Sequence, residues 1–550
     1  VDISRRDLTP ARSAAAAPSA AGPSGTGTAD GPEHPDREGR VDVGAVVLEE
    51  VARVGVFPPG GVTTRSVLED DLGFDSLMLH DLLAGIRKRL PDTDIPAEDV
   101  HSSGITVQQL IALADPGAAG DPLPRPAPSR EPAREAEAEA DPAGWDPASG
   151  RVTDFPELRA FERRLDWLHG SGADNPYFRV HEGTVGNTTR VGDRAYRSFG
   201  SYNYLGLSGH PEVNRAAREA VDRYGTSVSA SRPLAGEREL TVRLEQALAD
   251  FLGTEDCLVL VSGHATNVTA VGHLVGSEDL IVHDALAHDS ILQGCRLSGA
   301  ARRPFAHNDL DQLEEILRRN RSRFRRTLIA VEGAYSMDGD LVELDRVIEL
   351  KERYGALLLV DEAHSIGTVG AHGRGVGEFF GVDRSGVDLW MGTLSKAFAS
   401  CGGYLGGSAR LIAWLRHTLP GFVYSVGMTP ANAAAALAAT ELIAAEPHRV
   451  RALRRNAERF LDLAGAAGLP TGSSRHTPII PCVLGDSERT LRLADRLAAR
   501  GVLVDPIFHP AVEEGLSRLR FFVTSEHTED EIAETVAALT EELEATGTPA

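Results

Sequence analysis

Only three of the 56 basic side chains are lysine: Lys88, Lys351 and Lys396. In so arginine-rich a chain each lysine is a candidate reactive amine, because a guanidinium does not give up its proton near neutrality. Lys88 and Lys351 lie in charged helical runs. Lys396 closes an apolar run, DLWMGTLSK (388–396), and small residues follow it, AFASCGGYLGG. An amine at the carboxyl end of a buried strand, beside a ligand crevice, can bond covalently to an aldehyde cofactor. Upstream, ALLLVDEAHS ends a second apolar run at Asp361, with His364 three residues on. A carboxylate held against a pyridine nitrogen keeps that ring protonated, which makes it an electron sink. Lys396 with Asp361 therefore suggests pyridoxal 5'-phosphate, with His364 placed to hydrogen-bond the ring's phenolic oxygen. An acidic strand end capping a helix would leave the same mark at Asp361, so the pair carries the reading rather than either residue.

These residues need strands to hold them. From about residue 153, apolar runs alternate with helical stretches: CLVLVSG (257–263), RTLIAVEG (326–333), ALLLVDEAH (356–364) and DLWMGTLSK. Continuous apolar runs mark strands buried on both faces, and the alternation predicts an α/β fold with a mainly parallel sheet. An Ala-rich helix is expected after Thr429. A helix over 487–500 and the run LRFFVTS predict a smaller α+β lobe. The expected boundaries are 153–430 for a large domain with its N-terminal arm and 431–550 for the small domain.

Composition limits the remaining possibilities. The net charge of -24 lacks the basic stripe that nucleic-acid binding requires. No apolar run reaches the ~18–20 residues of a membrane span, and the first residues hold no apolar signal core. Cys257, Cys295, Cys401 and Cys482 are widely spaced with no CxxC pair, which fits neither a disulfide scaffold nor a zinc site. No metal is expected, and a reducing, cytoplasmic setting is.

The N-terminal part divides differently. Residues 10–38 are Ala/Gly/Pro/Ser-rich and 116–150 are Pro/Ala/Glu-rich. Neither can bury enough apolar surface to offset chain entropy. The expectation is a disordered segment over 1–38 and an extended, flexible linker over 116–152. Between them, 39–115 shows helical apolar spacing (Val43, Val46, Val47, Val51, Val54), then LEDDLGFDSLMLHDLL and a last run TVQQLIALAD. This predicts a four-helix bundle in which Ser76 opens a helix. Residues 40–115 hold 13 acidic and 6 basic side chains. Glu69, Asp70, Asp71, Asp75 and Asp81 cluster around Ser76, which is either a solvated face or a docking patch for basic partner surfaces.

The island resembles acyl carrier proteins, in which the serine of an Asp-Ser-Leu motif carries 4'-phosphopantetheine. The resemblance implies that arm on Ser76, installed by a phosphopantetheinyl transferase and loaded by upstream enzymes. A helix start suits its phosphodiester. Over about 155–545 the chain resembles the α-oxoamine synthase family of fold-type I pyridoxal phosphate enzymes, which includes 8-amino-7-oxononanoate synthase and serine palmitoyltransferase. The matching runs are NYLGLSGHP (203–211), SASRPLAG (229–236), SGHATN (262–267), HDALAHDS (283–290), AHND (306–309), EGAYSMDGD (332–340), DEAHSIGTVG (361–370), GTLSK (392–396), YSVGMTP (424–430) and RLRFFVT (518–524).

The resemblance implies these roles. Lys396 holds the cofactor covalently and moves protons at the substrate α-carbon. Asp361 pairs with the ring nitrogen, and His364 with Ser336 contacts the phenolic oxygen. His288 stacks on the ring. Gly263 and His264 backbone N–H groups, the Thr393 hydroxyl and, from the other subunit, Ser425 hold the phosphate. Arg520 clamps the amino-acid carboxylate, and Asn203 contacts substrate. A homodimer with active sites between subunits is implied. So is a decarboxylative condensation of an amino acid with an acyl thioester, here delivered from Ser76 to give an α-aminoketone of polyketide or fatty-acid type. IFHPAV (507–512) stands where the biotin-pathway synthase has Arg-Pro-Pro, which argues against a carboxylated acyl group. Thr241 stands where the family commonly has histidine, and YSVG replaces Ser-Thr-Ser. Alternatives are an acyl-CoA-dependent synthase whose carrier serves another enzyme, an aminotransferase, or a carrier protein with an inactive second domain.

Overall fold

The computed structural model describes residues 42–55, most of 62–95, 105–114, 151–170, and 175–546 apart from 510 and 514. Residues 43–550 belong to one compact unit, and of 1–42 only Asp42 is described. The two low-complexity stretches, Glu69, Asp70, Asp71, Asp75 and the side chains of Ser76 and Asp81 lie outside the described residues.

Three helices of the N-terminal island are described: Val43–Gly55, Ser76–Arg89 and Val107–Ala114. They bury Val46, Val47, Val51, Leu79, Leu82, Ile86 and Leu110 with Phe74 and Leu68, in a core of their own. Ser76 opens its helix, as the sequence predicts. The rest of the expected four-helix bundle falls on 96–104, outside the described residues.

Fourteen strands follow among the described residues. β1 (His181–Glu182), β2 (Thr188–Val191) and β3 (Arg194–Ser198) form the arm. β4 (Asp256–Leu260), β5 (Leu280–Asp284), β6 (Ala301–Phe305), β7 (Thr327–Glu332), β8 (Leu357–Asp361), β9 (Leu389–Thr393) and β10 (Gly403–Gly407) make the main sheet. β11 (Ile479–Gly485), β12 (Val502–Leu503), β13 (Asp505–Ile507) and β14 (Ser517–Phe522) belong to the C-terminal lobe.

The main sheet has the order β4-β10-β9-β8-β7-β5-β6. β10 runs antiparallel to both neighbours, and the other pairings are parallel. Every residue of β5, β7 and β9 is buried, because helices cover both faces. That is why these strands read as unbroken apolar runs. The arm joins the C-terminal lobe: β3 pairs in parallel with β12, giving the sheet β1-β2-β3-β12. β11-β14-β13 form a second small antiparallel sheet.

The expected Ala-rich helix runs Pro430–Ala445, capped by the Thr429 side chain on Asn432 N–H. Its small side chains share one core with helices Pro211–Tyr224 and Glu239–Leu252. A buried ion cluster fastens the same region. Glu245 (5% exposed side chain) accepts from Arg232 (3%), from Arg416 and from Val259 N–H. Arg232 also reaches Glu237 and lies over the Phe422 ring. Removing one member strands buried charge. Glu245→Met is therefore expected to lower stability by about 3–5 kcal/mol, read as a reduced midpoint in urea denaturation.

Candidate active site

The main sheet places chemistry at the carboxyl ends of neighbouring parallel strands, as open α/β sheets do. β8 ends at Asp361, in register with Met391 of β9. Three residues past the end of β9 comes Lys396. Both side chains line a cavity of ≈ 230 Å³ with Gly263, His264, Asn267, His288, Glu332, His364, Thr393, Ser395 and Cys401. Lys396 also lines a second, larger cavity of ≈ 890 Å³, whose walls include Tyr177, Arg179, Tyr202, Asn203, Asp505, Ile507 and Arg520. The lysine thus stands between two chambers.

Burial dominates its chemistry. Desolvation lowers the Lys396 pKa to about 8, against the opposing pull of Asp361 and Glu332. No carboxylate pairs directly with it among the described residues. Its Nζ lies 2.8 Å from His364 Nε2, and His364 Nδ1 lies 2.9 Å from the Tyr204 hydroxyl. His364 is pushed well below the usual imidazole range by burial and by the Lys396 and Arg520 charges, so it stays neutral. With Lys396 as ammonium, Nε2 accepts its proton and Nδ1–H is left to donate to Tyr204. Burial drives the Tyr204 hydroxyl well above its ordinary range, so it keeps its proton.

Asp361 is buried and held by neutral donors only. Oδ2 accepts from Asn267 Nδ2 at 2.6 Å, and Oδ1 accepts from Ala363 N–H at 2.8 Å. Asn267 also donates to Ser290 Oγ at 2.9 Å, and its own Oδ1 has no partner. Glu332, deeper in the wall, accepts from His288 N–H at 2.5 Å. Burial and the nearby Asp361 raise its pKa well above the carboxylate range, so it holds its proton. The site therefore offers one buried carboxylate that lacks a cation.

That donor set fits pyridoxal phosphate. Asp361 would balance a protonated ring nitrogen, and the low-pKa amine of Lys396 would take the aldehyde. The helix Gly263–Leu274 begins in the same cavity; its first-turn N–H groups lack intrahelical partners, and Ser262 Oγ caps that of Ala265 at 3.4 Å. Side chains are excluded there. A Cβ on Gly263 would lie 2.6 Å from Thr393 Oγ1, and one on Gly403 2.8 Å from Gly263 Cα. A phosphate can approach backbone at such a cradle.

The sequence-predicted residues divide as follows. Lys396, Asp361, His364, His288, Gly263, His264 and Thr393 converge on the smaller cavity. His288 also caps the helix Asp289–Ser298, with Nδ1 2.7 Å from Ser290 Oγ. Arg520 lines the larger cavity: Nη1 donates to Ser336 O at 3.2 Å, Nη2 reaches the Tyr202 hydroxyl at 3.4 Å, and Nε is buried without a partner. Asn203 lines that cavity too, but its amide is engaged by backbone, accepting from Ser208 N–H at 3.0 Å and donating to Ser208 O at 3.4 Å and Val185 O at 3.3 Å. Ser336 lines neither cavity, and its carbonyl seats Arg520 instead. Ser425 lines neither, with its hydroxyl 3.2 Å from Val426 O. Thr241 is a buried residue of the helix Glu239–Leu252.

Sequence reasoning missed Tyr202, Tyr204, Asn267 and Glu332. Three sit inside quoted runs: Tyr204 in NYLG, Asn267 in SGHATN and Glu332 in EGAYS. A buried polar residue in an apolar context was the available signal. The four cysteines are free. Among the described residues no cluster could hold a metal ion, and no helix is long and apolar enough to cross a membrane.

Residues 196–539 match the family model described as aminotransferase class I and II. The 8-amino-7-oxononanoate synthase of Geobacter sulfurreducens is 40% identical over 363 residues, covering 66% of this chain and 92% of that protein. The corresponding enzyme 1 of Bacillus subtilis is 37% identical over 351 residues, 64% of this chain and 89% of that one. The structure of Sphingomonas wittichii serine palmitoyltransferase superposes with a TM-score of 0.69 at 29% identity, covering 72% of this chain and 99% of that one.

The low pKa of Lys396 sets a pH dependence. The free amine is the attacking form, so it gains as pH rises through about 8. The rate at which the cofactor-free protein captures pyridoxal phosphate, followed by absorbance, should rise with a midpoint near that pH rather than in the ordinary lysine range. Lys396→Ala should show no covalent capture.

Proposed function

The chain belongs to the class I and II aminotransferase family, and from that premise we propose that it is a pyridoxal phosphate-dependent α-oxoamine synthase fed by its own carrier. It condenses an amino acid, with loss of CO2, with an acyl thioester borne on a phosphopantetheine arm at Ser76, and releases an α-aminoketone in the biosynthesis of a polyketide- or fatty-acid-type product. The observation that supports this most is the position of Lys396 between two chambers, with Asp361 on one side and Arg520 on the other.

When bound, pyridoxal phosphate supplies an aldehyde for the amines and a cationic ring that draws the electron pair from the substrate α-carbon. The protein's residues do the rest. Asp361 keeps the ring nitrogen protonated. With the cofactor bound, neutral His364 would donate Nε2–H to the phenolic oxygen, its Nδ1 then accepting from the Tyr204 hydroxyl. Gly263 and His264 N–H groups and Thr393 hold the phosphate. Arg520 fixes the amino-acid carboxylate as a two-pronged donor. Lys396 Nζ would take the α-proton from the substrate and return one to the product. His288 covers the ring face and shields it from water.

The larger chamber suits a long thioester donor, and Ile507 in its wall belongs to IFHPAV, the segment that replaces an arginine-bearing loop. An uncharged acyl chain follows from that exchange. Residues 116–150 act as the tether, raising the donor's effective concentration at the site. The enzyme works as a homodimer in the cytoplasm, with Ser425 serving the partner's phosphate.

The decisive measurement uses labelled glycine, alanine or serine. CO2 release should require protein whose Ser76 carries an acyl-loaded arm, and Ser76→Ala should abolish it. Equal turnover of free acyl-CoA by Ser76→Ala would reject delivery from the carrier.

A further inference from the structure

Arg520 must hold its fork still to grip a carboxylate, yet it sits on the C-terminal lobe while its seat is on the large domain. The seat is the turn 335–340. It closes on itself through Tyr335 N–H to Asp340 O at 3.1 Å and Gly339 N–H to Tyr335 O at 2.9 Å. Arg520 Nη1 donates to Ser336 O at 3.2 Å. Its strand neighbour Arg518 donates to Met337 O at 3.0 Å and pairs with Asp338 at 2.7 Å. Gly339 O accepts from Thr477 Oγ1 at 2.7 Å and from Arg475 N–H at 3.0 Å. Gly339 lies at φ +72°, and a Cβ there would be 2.0 Å from Ile479 O. The turn therefore meets the C-terminal lobe through bare backbone, with no slack.

What fixes the turn from behind is His307. Its Nδ1 lies 3.0 Å from Asp284 Oδ1, at the end of β5, and its Nε2 lies 3.0 Å from Asp340 Oδ2, at the end of the turn. Both ring nitrogens face carboxylate oxygens, so both must donate, which only the imidazolium can do. The two carboxylates raise its pKa to about 10 against desolvation. Asp284 is wholly buried and also accepts from Leu286 N–H and Asn308 N–H. Asp340 Oδ2 further accepts from Ser473 Oγ at 2.9 Å and faces Asn308 Nδ2 at 3.4 Å. The Tyr335 ring stands edge-on to the imidazole at 4.4 Å. Without the imidazolium, Asp284 and Asp340 would meet as like charges, and the turn would lose its tie to β5.

We propose that His307 is a positioning residue for the amino-acid substrate: as a cationic bridge between Asp284 and Asp340 it holds the turn 335–340 on which Arg520 is seated. It touches neither cavity and does no chemistry itself. The inference rests on the role proposed above for Arg520, and its test separates the two.

The experiment uses full-length holoenzyme with His307→Gln and the double variant His307→Gln/Asp340→Asn, which removes the charge left uncompensated. Hydrogen–deuterium exchange reads the clamp without any reaction. Exchange should rise over 335–340 and 473–479 in His307→Gln, stay unchanged over 263–274, and return toward wild type in the double variant. Titration of the holoenzyme with glycine, alanine and serine, followed by the cofactor's absorbance, reads its purpose. The amino-acid dissociation constant should weaken about tenfold, kcat should change far less, pyridoxal phosphate affinity should hold, and the double variant should recover most of the loss. Unchanged exchange in the turn overturns the clamp. Altered exchange with wild-type amino-acid affinity, or cofactor affinity falling in step, overturns its substrate-positioning role. Exchange that responds as expected in a protein that takes up no amino acid supports the clamp and rejects the proposed function instead.

Discussion

The structure turns on an imbalance of buried charge at the ends of β8 and β9. Asp361 is buried with amide donors and no cation; Lys396, partly buried, lies beside a neutral imidazole and no carboxylate. Each opposes the cost of the other only through space. A fold optimised for stability alone would place hydrophobic side chains here or bring the two into contact, since buried ions left apart are costly. The parallel sheet makes the arrangement sustainable. Strands β7, β8 and β9 are locked on both faces by apolar packing, so their ends cannot relax toward each other. The unpaired state is thus held in place by the sheet rather than relieved by contact between the two groups.

The same imbalance explains the neutral polar groups around it. Glu332 would add a second negative charge beside Asp361, and it escapes by keeping its proton. His364 would add a positive charge beside Lys396 and Arg520, and it escapes by staying unprotonated. Both results follow from desolvation reinforced by a like-charged neighbour. Of the seven ionisable side chains that line the cavity, Glu332 and His364 are thus held uncharged.

The part of this that is local was legible in the sequence. Apolar runs ending in Asp361 and Lys396 announced buried strands and their reactive ends, because a strand covered on both faces leaves an unbroken hydrophobic signature. Thr429 announced its helix, because a hydroxyl cap acts on a backbone N–H three residues away. The partnerships that cross the fold were not legible. Tyr204 meets His364 across 160 residues and Asn267 meets Asp361 across 94; spacing in the chain holds no record of such approaches. Ser336 shows the same limit in reverse. The contact the structure shows is made by its carbonyl, which every residue type possesses and no sequence pattern marks. Asn203 is similar: a polar side chain near substrate space, engaged by backbone.

Arm and C-terminal lobe are one mechanical piece, and this bears on how the two chambers are reached. β3 pairs with β12, and β13 lies beside β14, so Asp505 and Arg520 from neighbouring strands of the lobe meet Arg179, more than 300 residues earlier, in one chamber. The smaller chamber is instead walled by the large domain alone. A cofactor needs to enter once and then stay, and it is served by the rigid sheet ends. The larger chamber lies instead at the junction between lobes, beside contacts such as Thr477 Oγ1 with Gly339 O. Lys396 lines both chambers, so a single amine faces the rigid sheet ends on one side and the junction between lobes on the other.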